Sequence, residues 1–117
     1  MSGIENRQLP RANVVWRGAY LVTVGKYAPL KVINVSEGGI AAVTEDRLNL
    51  GQQLHLMLEI PHPDGSARWA QAAIKGVIVH TILSGSAYKI GVKFVEIDPT
   101  HKGLIKAWVA KLNNPIN

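Results

Sequence analysis

Apolar and polar positions along this chain fall into short runs divided by turn-forming residues, and the runs follow a period of two more often than one of 3.6. Gln52 to Ile60 shows it best: Leu54, Leu56 and Leu58 alternate with His55, Met57 and Glu59, the pattern of a half-buried strand. Val14 to Val24, rich in Val, Trp, Tyr and Leu, predicts a first strand, broken by Gly25 to Pro29. Leu30 to Val35 follows and stops at Ser36-Glu37-Gly38-Gly39. Ile40 to Thr44 is a short third run, and Glu45 to Gly51 a polar bend. Pro61-His62-Pro63-Asp64-Gly65 reads as a loop, because its prolines cannot donate to a ladder. Trp69 to Leu83 and Ala87 to Ile97 are the last two strands, with Ser84-Gly85-Ser86 suited to a hairpin between them.

The period changes after Ile97. Asp98 suits an N-cap and Pro99 the first helical position. Leu104, Ile105, Trp108, Val109 and Leu112 then share one helical face, opposite Lys102, Lys106 and Lys111. Six short antiparallel strands and one amphipathic helix predict a mainly β barrel or sandwich with the helix packed on it. The expected division is a flexible basic leader over 1–12, the β body with its helix over 13–113 and a short tail over 114–117. Trp69, Tyr88, Phe94 and Trp108 are expected in the core.

Length and composition narrow the classes. With 117 residues, 47% apolar and 18% charged, the chain makes one domain with a core. The longest uncharged stretch, Gly76 to Tyr88, is too short and too polar for a spanning helix, and MSGIENRQLPR has no secretory apolar block. No membrane span and a cytoplasmic location are therefore expected. The absence of cysteine excludes disulfides, thiolate metal sites and cysteine nucleophiles. A net charge of +5 favours anionic partners, and Arg7, Arg11, Arg17, Lys26 and Lys31 precede most of the acids.

Catalytic chemistry finds no support. His55, His62, His80 and His101 lack short ligand spacing, so no metal site is expected. Asn34-Val35-Ser36-Glu37-Gly38 lacks the first glycine of a nucleophile elbow, and the acids form no suggestive pair. Two other features are candidates for binding. In Arg7-Gln8-Leu9-Pro10-Arg11 the proline favours extended chain, where residues four apart point the same way; alone, this also fits a solvated leader. In Asn34-x-Ser36-x-x-Gly39 an amide and a hydroxyl share a face, and Gly38 and Gly39 permit positive φ or a close backbone approach; alone, this also fits a plain hairpin turn.

Taken together, R-x3-R in a leader and [DN]-x-S-x-x-G at the end of the second strand resemble the paired motifs of the PilZ domain family. Gly76-Val77-Ile78-Val79 and Tyr88-Lys89-Ile90-Gly91-Val92-Lys93-Phe94-Val95 are similar to that family's closing hairpin, and the helix over Leu104 to Leu112 to its terminal helix. The resemblance runs from about Arg7 to Leu112. It implies a six-stranded antiparallel PilZ-type β-barrel with a C-terminal α-helix, without catalytic activity or cofactor, that binds the bacterial second messenger cyclic di-GMP.

Carried onto this chain, the resemblance assigns the ligand to Arg7, Arg11, Asn34, Ser36 and Gly39, with Gly38 and His80 as further candidates. Arginine forks suit the paired acceptors N7 and O6 of guanine and the phosphodiesters. Asn34 stands where the family more often has Asp, and His80 where many members carry an aromatic or an arginine. The function implied is that of a monomeric bacterial cytoplasmic receptor and adaptor, passing the signal to a protein partner. The alternative is a PilZ-like interaction module that binds no nucleotide, as in pilus assembly. A barrel binding RNA or single-stranded DNA is disfavoured, since such proteins rely on exposed aromatic platforms.

Overall fold

The computed structural model describes residues 9–113. Six strands and one helix follow one another: β1 (Arg11–Thr23), β2 (Lys26–Ser36), β3 (Gly39–Thr44), β4 (Gln53–Pro61), β5 (Trp69–Ser84), β6 (Ala87–Ile97) and α1 (Pro99–Leu112). All strand pairs are antiparallel, and the sheet closes into a barrel in the order β1-β2-β3-β6-β5-β4. The seam between β1 and β4 is short, with Gly18, Ala19 and Tyr20 opposite Leu58, Met57 and Leu56. Gly18 is needed there, since a Cβ would meet Leu58 Cδ2 at 2.8 Å and Leu30 Cδ1 at 2.9 Å.

Inward residues alternate along β4 and β5, where Leu54, Leu56, Leu58, Ile60, Ala72, Ile74 and Ile78 are buried; in β2, Leu30 and Val32 keep the period and the irregularity between Val32 and Asn34 moves the next buried residue to Val35. Ile105 and Val109 of α1 join this core, and Asp98 Oδ1 caps the helix by accepting from the Thr100 amide at 2.8 Å. Trp108 packs edge-on against Trp16 at 6.2 Å and donates from Nε1 to the Pro61 carbonyl at 2.6 Å.

Three expectations are corrected. β1 starts at Arg11 rather than Val14, because Arg11 and Ala12 continue the ladder opposite Ser36 and Val35 and Ala12 fills the core. β2 runs through Pro29, which is no breaker: Pro29 pairs with Ala19 in β1, while the β3 ladder begins only at Lys31, so its missing N–H falls where β2 has no second neighbour. Trp69 is 55% exposed rather than core, because it opens β5 at an outward position opposite Pro61. Phe94 and Trp108 are partly buried against the core.

Candidate ligand-binding site

Of the sequence candidates, Arg11, Asn34, Ser36, Gly38 and Gly39 lie along β1, β2, β3 and the turn between β2 and β3, and His80 on β5 stands opposite Gly91 of β6, which pairs with β3. Arg11 is opposite Ser36, Ser36 opposite Gly39, and Gly39 opposite Lys93, so the four stand in one line across four strands. At a strand spacing of ~4.8 Å the line measures about 14 Å between its cationic ends, Arg11 and Lys93. A second line runs beside it. Asn13 is opposite Asn34, Asn34 opposite Ala41, Ala41 opposite Gly91, and Gly91 opposite His80. Ala12, Val35, Ile40 and Val92 between the two lines are buried, which turns both lines outward.

The hairpin between β2 and β3 is held by its own hydroxyl. The Gly38 amide donates to Ser36 Oγ at 3.2 Å, and Ser36 Oγ lies 3.5 Å from the Gly39 carbonyl oxygen it donates to. Neither Gly38 nor Gly39 is at positive φ; the positive-φ glycines among the described residues are Gly25, Gly51, Gly65 and Gly85. Gly39 is needed instead for close approach, since a Cβ would collide with the Val92 carbonyl oxygen of β6. A Cβ on Gly38 would meet Leu9 Cδ1 at 2.8 Å, which places the residue two before Arg11 directly on the turn. The Gly38 carbonyl accepts from the Phe94 amide at 2.8 Å and ties the same turn to β6.

Arg11 is exposed at the start of β1, and its carbonyl accepts from Asn113 Nδ2 at 2.7 Å. Asn34 Nδ2 donates to Asn13 Oδ1 at 3.0 Å. His80 is exposed and its imidazole rests on Gly91, where any Cβ would strike the ring. Arg7 lies outside the described residues. Sequence reasoning missed Asn13, Gly91 and Lys93, because only the register brings them to the motif residues.

The face offers guanidinium and ammonium donors, amides, an exposed imidazole and a tight glycine turn, a set suited to holding a polyanion with ring edges. Among the described residues no group of His, Cys, Asp or Glu could hold a metal ion. Two cavities lie elsewhere: one of about 560 Å³ lined in part by Leu21, Tyr27, His55, Lys75 and Glu96, and one of about 320 Å³ beside Arg17, Glu59, Arg68 and Trp69. No motif residue lines either.

Comparison with known proteins agrees with this architecture. The PilZ domain model matches residues 5–111. Among solved structures, the Bacillus subtilis inhibitor of motility MotI/DgrA superposes with a TM-score of 0.76 at 21% identity, over 95% of this chain and 53% of that one. The PilZ domain of Escherichia coli YcgR with c-di-GMP gives 0.65 at 12% identity, over 91% and 90% of the two chains. The MrkH–c-di-GMP complex of K. pneumonia gives 0.69 at 18%, over 91% and 52%. The chain thus spans about half the length of MotI and MrkH. At these identities the likeness is one of fold. No curated protein matches the sequence.

Proposed function

The chain belongs to the PilZ domain family, and from that premise we propose that it is a cyclic di-GMP receptor of the bacterial cytoplasm, acting as an adaptor whose ligand-dependent surface engages a protein partner. The observation that carries the reading is the line Arg11–Ser36–Gly39–Lys93 beside Asn34 and His80. Residues far apart in sequence meet on one outward face with cations at both ends. Arg11, with Arg7, would fork onto guanine edges and phosphates, where a lysine would lack the planar geometry. Asn34 would accept from a guanine, and the Ser36–Gly39 turn would let the ligand backbone lie close. YcgR and MrkH structures contain c-di-GMP, which supports the choice of ligand.

The reading is one of binding. The test is calorimetric titration with cyclic di-GMP, with GTP and a short RNA as controls. Saturable binding of cyclic di-GMP alone is the expected result. No heat with any of the three leaves the nucleotide-free interaction module, and binding of RNA alone leaves a nucleic-acid barrel.

A further inference from the structure

Two asparagines face each other across β1 and β2 on the outer surface, and Asn34 Nδ2 donates to Asn13 Oδ1 at 3.0 Å. Both strands depart from regular pairing right beside this pair, β1 between Asn13 and Trp16 and β2 between Val32 and Asn34. Such irregularities re-aim side chains, so the meeting of the two amides is built into the strands. With its nitrogen engaged, Asn34 keeps Oδ1 as an acceptor that receives no hydrogen bond from any other described residue.

We propose that Asn13 is a positioning residue that turns the Asn34 amide oxygen-outward and thereby sets a preference for guanine over adenine. The inference rests on the reading of this face as a cyclic dinucleotide site. A primary amide has one accepting and one donating end, and in an isolated exposed asparagine the two interchange by a half-turn about χ2. Guanine presents N1–H and N2–H donors on its pairing edge, which an outward oxygen matches and an outward NH2 opposes. Adenine presents an acceptor at N1 beside the N6 amino donor, so an outward NH2 matches N1, while an outward oxygen can use only the amino group and faces a lone pair at N1. An asparagine here is therefore two-faced unless something holds it, whereas a carboxylate is acceptor-only either way. Asn13 Oδ1, by taking the nitrogen, disfavours the adenine-matching face: a half-turn of Asn34 alone would set two oxygens against each other, and the bond is restored only if both amides turn together. Specificity of this kind is a difference of two affinities and needs the wrong face disfavoured as well as the right one offered.

The experiment measures cyclic di-GMP and cyclic di-AMP binding by calorimetry for wild type, Asn13→Ala, Asn13→Asp, Asn34→Asp and the double variant Asn13→Ala/Asn34→Asp. The readout is the ratio of the two affinities, which a general loss of binding or a change of net charge moves little. Asn13→Ala should lower the guanine preference about three- to tenfold, the range expected for one net hydrogen bond. Asn13→Asp, still an acceptor, should retain it. In the Asn34→Asp background, Asn13→Ala should leave the ratio unchanged, because the carboxylate needs no orienting. An unchanged ratio in Asn13→Ala, or an equal drop in both backgrounds, overturns the proposal. Side-chain amide exchange of Asn34 by NMR in the free protein supplies a readout without ligand: it should quicken in Asn13→Ala, and no change overturns the proposal even if wild type binds no nucleotide. Wild type failing to bind cyclic di-GMP while Asn34 exchange still quickens refutes the functional reading alone, leaving Asn13 as the residue that holds the amide.

Discussion

Arg11 bonds to Asn113 through its backbone carbonyl, and its exposed side chain is the part proposed to meet the ligand. Its carbonyl stays bonded to Asn113 whatever the side chain is. Arg11→Ala should therefore weaken cyclic di-GMP binding by roughly 5- to 150-fold, the ~1–3 kcal/mol of a bidentate contact. Its Tm should move by no more than a few degrees, as calorimetry and thermal melting would show. Gly39 is the opposite case. Gly39→Val drives a branched side chain at the Val92 carbonyl, so β3 and β6 must part; a loss of about 1–3 kcal/mol by urea denaturation, with a loss of affinity, is expected. Tyr20 is 3% exposed and donates to Asp46 Oδ2 at 3.0 Å. Burial, then the bond to Asp46 and the charges of Asp46 and Glu45, push its hydroxyl up to about 12 from 10.0. The folded protein holds that proton more tightly than the unfolded chain, so its contribution is intact below pH 10 and is lost as pH rises from 10 through 12. Tyr20→Phe should cost about 1 kcal/mol at neutral pH, and the gap to wild type in urea midpoints should close between pH 10 and 12.

At the scale of elements, the helix was the most legible part. Asp98-Pro99 and the spacing of Leu104, Ile105, Trp108, Val109 and Leu112 are local signals; the structure reproduces the cap, buries Ile105 and Val109 and half-buries Leu104 and Trp108, while Leu112 in the last turn is exposed. The strand bodies were nearly as legible, since burial alternates along β4 as its leucines do. Strand ends were less so: Pro29 and Pro61 both lie within strands, and what permits this, the lack of a second neighbour at Pro29, is a fact of topology. The motif residues were legible as residue types, but the reason for Gly39 was not, because its close contact is with β6, far along the chain. Asn13 and Lys93 escaped notice because register, which no local pattern encodes, aligns them. What joins α1 to the barrel is also long-range, through Trp108 to Trp16 and to the Pro61 carbonyl. Trp108→Phe keeps most ring packing and loses the N–H, so a drop of about 1 kcal/mol is expected. Asp98→Ala should cost a similar ~1 kcal/mol through the lost cap, and the two should be additive in chemical denaturation because they share no partner.

For the molecule as a whole, closure depends on a three-residue seam between β1 and β4, while β1 and β2 pair along nearly their full length. The outward face of β1, β2, β3 and β6 is thus backed by the better-paired side of the barrel, a firm base for the proposed ligand surface. Asn113, just past the helix, reaches the first strand residue across 102 positions of sequence. The fold is therefore nearly circular, and its linear order is one choice among several. Joining residue 117 to residue 1 and opening the chain at Gly25, beside the fully exposed Val24, keeps every residue and every pairing. Such a circular permutant should melt within several degrees of the parent and give the same circular dichroism spectrum. It should refold more slowly, because the β1–β2 pairing becomes the most distant in the chain instead of the nearest. A permutant that stays unfolded would show that this turn is needed for folding as well as for connection.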